Sequence, residues 1–577
     1  MIAVVANPWE RPVVSEFFEL FKTPWEFYRA GRRYDVVLCA GDSPVDQNAA
    51  KLVLIYSGRR VSDDCQDNTA PAPQGQNPRS LGYRGRRIPI YGDCLTFPQK
   101  AAGFVTDEQS GTPAAYLDYK SGCMRARIGY DLFGEVETLL TKGQPPDHAG
   151  IPTLELHIAL LRNLIIASGI PFVEIPPLPD GYSFVACLTH DVDHPSILHH
   201  KFDHTMFGFL YRAILGSLFD VAKGRASVSD LLSNWAAALK LPLVHLGLAT
   251  DFWHRFQDYP KMEKGFPSSF FVIPFKGRSG RSKEGGAPRR RAAAYGAAEI
   301  ATQIRNLIGA GCEIGLHGID AWCDSSCGRE ELNEIERITG AQEFGVRMHW
   351  LYFDEQSPGK LERAGAAYDS SVGYNDAVGY RAGTTQVYQP LQATRLLELP
   401  LHIMDTALFS RGRLNLSPQE ARKQVANVIG HAGQFGGNIT INWHDRSIAP
   451  ERLWGRFYEE LVEEMENKGA WFATAGQAVA WFKKRRSAIF ETINWDADTV
   501  HVKVALQGNP SVPGLRLRIH NPVRSRQVTR TGTAASVRAI NISLNSSIDS
   551  RISLTTCEET MFSRKPIADG RVSRYVN

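Results

Sequence analysis

Phe184-Val185-Ala186-Cys187-Leu188-Thr189-His190-Asp191-Val192-Asp193-His194 is an apolar run that ends abruptly in two carboxylates flanked by histidines. A strand buried on both faces reads as a continuous hydrophobic run, and such a strand delivers polar groups to a site at its C-terminal end. Alternation along an extended chain puts Asp191 and Asp193 on one side, so two acids converge on one spot. Carboxylates that converge either bind a cation or divide acid and base work between them. A solvated Asp-x-Asp turn would explain the tripeptide by itself. The other polar strand ends along the chain point to a site.

Working outward, the same pattern recurs between about residues 181 and 485. Phe270–Ile273 is a short apolar run, Glu313–Leu316 ends at His317, and Gly345–Met348 carries Arg347 and ends at His349. Leu396–Leu401 then ends at His402, and Asn438–Trp443 ends at His444. Helical apolar spacing intervenes, as in Ile300, Ile304, Leu307 and Ile308, and again in Leu453, Phe457, Leu461 and Met465. This alternation predicts an α/β fold, a parallel (β/α) barrel of about seven strands whose chemistry sits where the strands end.

Two insertions interrupt the barrel. Residues 195–267 read as a long helical excursion rich in Phe, Trp and Leu, whose apolar residues are assigned to core packing, with a lid, a partner face or a peripheral membrane contact as the other options. The Gly-rich basic stretch from Lys276 to Arg291 reads as a mobile surface loop. His194, His199, His200 and His204 are expected in a solvated loop.

Residues 1–150 read as a small α/β domain with buried strands at Ile2–Ala6, Asp35–Gly41 and Leu52–Tyr56, and an exposed loop from Ser62 to Gly85. Residues 151–180 supply a helix, Leu154–Ile166, and a Pro-rich linker, Ile175-Pro176-Pro177-Leu178-Pro179. From 490 to 577 the period becomes two, with Val500, Val502 and Val504, then Leu515, Leu517 and Ile519, then Ile540, Ile542 and Leu544, which predicts a C-terminal β-sandwich. The 577 residues carry a net charge of +4 and no basic stripe interleaved with aromatics, so nucleic acid is not an expected partner. The nine cysteines lack disulfide-like spacing. Neither a secretory signal nor an apolar stretch long enough to span a bilayer is read, and the expected location is cytoplasmic.

With the Thr189-His190-Asp191-Val192-Asp193 strand and the His317, Arg347 and Trp443-His444 strand ends in this order, the central domain resembles the polysaccharide deacetylase family, the NodB-homology esterases of the carbohydrate esterase 4 type. The resemblance spans about the central half of the chain. It implies a distorted (β/α) barrel that removes N- or O-acetyl groups from sugars with a divalent metal, commonly Zn2+. Carried over by motif, Asp191 matches the general base, Asp193 and His317 match metal ligands, Arg347 resembles the arginine that orients the base, and His444 resembles the general acid. The family usually has a second histidine four residues after the first, where this chain has Ala321. Asp320 is the expected substitute ligand, because a residue three positions on can share a helical face and carboxylates bind zinc. His349, Trp350 and Trp443 are expected to touch substrate, with His349 and His402 as further candidate ligands.

The expected function is therefore that of a carbohydrate deacetylase acting on an acetylated sugar or polysaccharide precursor. The alternative is a catalytically weakened barrel that binds carbohydrate or scaffolds polysaccharide assembly, a reading motivated by Ala321 and by the large accessory domains.

Overall fold

Parallel strands make up the centre of the molecule. In the computed structural model, which describes residues 1–42, 50–62, 64, 79–100, 103–120, 123–522 and 537–554, seven of them stand side by side. Their order is Tyr368–Asp369, Gly345–Met348, Glu313–Gly318, Ser268–Val272, Phe184–Val192, Asn438–Asn442 and Ile403–Met404. Every pairing is parallel, and Ala470–Phe472 adds an eighth strand along Phe184–Ala186. The two edges of the row meet. Leu399 N–H donates to Asp369 O at 2.8 Å, Leu401 N–H to Val372 O at 3.0 Å, and His402 N–H to Thr440 O at 3.1 Å, so residues 397–404 curl the sheet into a barrel. The sequence pattern reads Leu396–His402 as a full strand, but only isolated bridges form at Glu398. Pro400 has no N–H to give a ladder.

Phe184–Val192 is buried at every position, as its unbroken apolar run demands. Phe184, Ala186 and Leu188 join Phe270, Leu316, Val346 and Ile441 in the main core. Each fully buried Leu or Phe there contributes roughly 1.5–3 kcal/mol relative to exposure. Two strands escape the sequence pattern because they are too short to show a period, Tyr368–Asp369 and Ala470–Phe472.

The N-terminal residues form a nine-stranded sheet, parallel from Trp25–Phe27 to Cys123–Ile128 and antiparallel beyond, with the helix Arg11–Phe21 packed on it. Within the stretch read as an exposed loop, Arg79–Tyr83 is a strand, while residues 65–78 lie outside those described. Phe172–Glu174 does not behave as linker. It pairs antiparallel with Leu515–Pro522 in one of two three-stranded antiparallel sheets that share a core around Val173, Val500, Val502, Leu517 and Ile519.

The insertion after the first barrel strand is helical, with a continuous helix His204–Ala222, containing a π turn at Arg212–Gly216, followed by Val228–His245. Core packing accounts for only part of its apolar residues. Met206, Phe209, Ala213, Leu241 and Val244 pack with Trp253 and Ala449, but Phe207, Ile214, Leu218, Leu232 and Leu239 face solvent. By length and composition His204–Ala222 is also long and apolar enough to cross a membrane, contrary to the expectation from the sequence, and 33% of its most apolar window is buried.

Candidate active site

The polar strand ends converge at one mouth of the barrel. Asp191 is 3% exposed and held on both carboxylate oxygens: Arg347 Nη1 donates to Oδ1 at 3.1 Å and Asn442 Nδ2 to Oδ2 at 2.6 Å. Asn442 Oδ1 in turn accepts the Asp191 backbone N–H at 3.2 Å. Arg347 is itself locked, donating to Thr189 Oγ1, to Ser370 O and to Ser370 Oγ, with its guanidinium 4.5 Å from the Phe271 ring centre. A carboxylate gripped on both oxygens by a buried guanidinium and an amide keeps its direction.

Asp193 lies two residues on. Its Oδ1 is buried and makes no hydrogen bond, although His317 Nε2 lies 3.3 Å away and His349 Nε2 3.7 Å away. His444 Nε2 lies 3.8 Å from Oδ2. His317 Nδ1 lies 2.9 Å from Arg347 O. A carbonyl can only accept, so Nδ1 carries a proton, and Nε2 is the ring atom turned to Asp193. Burial pushes His349 down to about 3, which keeps it neutral with a lone pair available. Arg291 donates to the His349 carbonyl at 2.9 Å, and the next two residues, Trp350 and Leu351, have φ of 64° and 53°. Left-handed backbone at non-glycine residues persists only where the surroundings over-determine it. Here it turns the chain away just after His349.

One ligand atom from each of Asp193, His317 and His349 lies within 4.8 Å of the other two. An orphaned carboxylate oxygen beside two imidazoles is a donor set that fits a divalent cation, zinc above all.

His444 faces this group from the other side. Its Nδ1 lies 2.6 Å from Asp405 Oδ1, and its backbone N–H donates to Asp405 Oδ2 at 2.7 Å. Burial disfavours the imidazolium, but Asp405, with Asp193 and Asp191 behind it, lifts the pKa to about 9. Near neutral pH this ring carries a proton.

Several sequence assignments move. Asp320 is not in the group: the chain after Gly318 forms a turn, and the next helix starts only at Ser325, so no helical face carries Asp320 back toward His317. Its Oδ1 accepts the Arg281 N–H at 2.7 Å. His349, assigned to substrate, takes the place expected for Asp320. Trp443 does not line the cavity, because its ring is fully buried against Phe457 and Tyr458. Trp350 does line it. His402 is a satisfied core histidine between Thr384 O and the Thr440 N–H. His200 is buried and hydrogen-bonded to His194, which removes both from a solvated loop. The basic stretch is anchored by Arg291, 1% exposed, which bonds Ser279 O and Ile319 O as well as His349 O.

Asp405 and Asn442 carry no sequence signal of their own kind. Asn442 could have been found, since it stands two before His444 as Arg347 stands two before His349.

Fold and site together define a parallel (β/α) barrel with an acid-and-histidine centre at the C-terminal ends of its strands. No protein-family model matches the chain, and no curated protein does. Among solved structures, the chain is similar to a provisionally named polysaccharide deacetylase from Mycobacterium smegmatis, at 19% identity and a TM-score of 0.34 over 54% of this chain and 95% of that one. It is also similar to a mutant CE4-family pseudoenzyme with restored enzymatic activity, at 9% identity and a TM-score of 0.24 over 53% of this chain and 70% of that one.

Proposed function

We propose that the protein is a metal-dependent hydrolase that removes an N- or O-linked acetyl group from a sugar or polysaccharide precursor. The observation that carries this reading is the orphaned Asp193 Oδ1 facing His317 and His349, with a fixed carboxylate on one side and a protonated imidazole on the other. Asp193, His317 and His349 would hold the cation. Bound there, it would acidify a water molecule and polarise the acetyl carbonyl. Asp191 takes the water's proton, and Arg347 and Asn442 keep its carboxylate aimed. The His444 imidazolium, steadied by Asp405, gives its proton to the departing amine or alcohol. Ala321 and the large accessory domains motivate the alternative of a weakened scaffold; the grouping of His349 with Asp193 and His317 favours the hydrolase.

The test is elemental analysis of the purified protein followed by acetate release from a panel of acetylated sugars. Stoichiometric zinc that disappears in His349→Ala but survives in Asp320→Ala supports the ligand set. No uptake after supplementation would sink the reading.

A further inference from the structure

The hairpin of His204–Ala222 and Val228–His245 is apolar on two faces. One face packs on Trp253 and Ala449. On the other, Val228, Leu232, Trp235, Leu239, Leu243 and Leu246 recur at helical spacing and are exposed, Leu239 to 80% and Leu246 to 70%. Phe207, Tyr211, Ile214 and Leu218 do the same on the first helix, and Trp235 Nε1 donates to Ile214 O at 3.3 Å, which joins the two stripes into one surface. An outer face this apolar on two adjacent helices marks an interaction surface.

Charge identifies what covers it. The hairpin is net cationic, with Lys201, Arg212, Lys223, Arg225 and Lys240 against Asp203, Asp220 and Asp230, of which Asp220 is paired with Arg411 at 3.0 Å. Lys201, Lys223 and Lys240 are exposed and meet no carboxylate within salt-bridge distance among the described residues. A two-fold contact with a second copy would set this same cationic patch against itself. A bilayer takes apolar stripes into its acyl boundary, aromatic residues at its interface and lysines at anionic headgroups.

The cavity points the same way. Its volume is about 970 Å³, and it runs from Asp193 and His349 to the underside of the hairpin at Tyr211 and Asn234. At that end Arg212, Arg446 and Arg452 lie 2.7, 3.7 and 3.7 Å from the carboxylate of Glu451, Asp220, Asp230 and Asp445 line the cavity too, and Arg446 Nη1 makes no hydrogen bond. Arg411 and Arg413 line the same arm. Guanidiniums in excess of carboxylates suit a phosphate.

We propose that this hairpin seats the protein on an anionic phospholipid bilayer, and that the arginine-lined arm of the cavity beneath it takes the phosphate of a lipid-linked sugar. The identity of that substrate rests on the deacetylase reading, whereas the seating does not.

Flotation of the full chain with vesicles tests it, using phosphatidylcholine alone and phosphatidylcholine mixed with phosphatidylglycerol. The wild type is expected to float with the anionic vesicles and to bind about tenfold more weakly to the neutral ones or in high salt. Combined Leu232→Ser, Leu239→Ser and Leu243→Ser should remove the association, with circular dichroism and zinc content unchanged. Lys223→Glu with Lys240→Glu should weaken only the anionic arm. A wild type that floats with neither vesicle overturns the proposal, as does a dimer that the leucine variant splits without any vesicle binding. Flotation without zinc uptake would leave the seating intact and sink only the deacetylase reading.

Discussion

Asp193 and Glu174 are both carboxylates surrounded by imidazole or guanidinium, and they are used in opposite ways. Glu174 is fully buried at the junction of the chain's parts. Arg162 from the helix Thr153–Ala167 donates to its Oε2 at 2.9 and 3.0 Å, and His520 from the C-terminal strand Leu515–Pro522 lies 2.9 Å from Oε1. Arg518 on the same strand adds a contact at 3.6 Å. Asp193 has three imidazole nitrogens at 3.3 to 3.8 Å and still leaves Oδ1 without a hydrogen bond. A saturated buried carboxylate ties elements together, while an unsaturated one is held ready for something the chain does not supply.

The comparison can be broken from either side. Asp193→Ala should abolish zinc retention and acetate release while leaving the melting temperature unchanged or higher, because it relieves a buried charge without a proper partner; a large loss of stability would make Asp193 a structural residue. Asp191→Asn should keep the zinc and lower kcat by about 10²–10⁴-fold, the usual worth of a positioned acid or base. Turnover close to wild type would remove Asp191 from the mechanism.

At the other junction, Glu174→Ala should cost about 3–5 kcal/mol in urea unfolding, since it strands buried cations. Zinc content should be unaffected wherever the variant is folded. The pH dependence follows from the sign of the shift. Burial would raise the Glu174 pKa, but Arg162, His520 and Arg518 outweigh it and hold the folded value below the usual range. Its stabilisation is thus present above the unfolded glutamate pKa of about 4.3 and is lost as pH falls below that. Glu174→Gln should flatten the acid limb of the stability curve. The smallest effect is expected at Asp320→Asn, which should retain zinc and lose no more than about 1 kcal/mol, the worth of one backbone hydrogen bond.

Much of the candidate site was legible because strand ends repeat one local rule. Asp191 and Asp193, Arg347 and His349, and Asn442 and His444 are each two residues apart, and alternation sends both members of each pair to the same side of the chain. Followed consistently, that rule would have favoured His349 over Asp320, whose assignment assumed a helix that does not begin until Ser325. Asp405 was not legible. It follows the two-residue strand Ile403–Met404 and meets His444 across 39 positions, a pairing without a local trace.

Local periodicity by itself determined the five longer parallel barrel strands, the direction of their polar ends and the presence of apolar helices in the insertion. Only the tertiary structure decided which donors share a centre, that Phe172–Glu174 belongs to a C-terminal sheet, and that an apolar stripe of the hairpin remains uncovered. The reason is physical: periodicity assigns a side chain to a face of its own element, whereas the neighbour that meets that face comes from residues tens or hundreds of positions away.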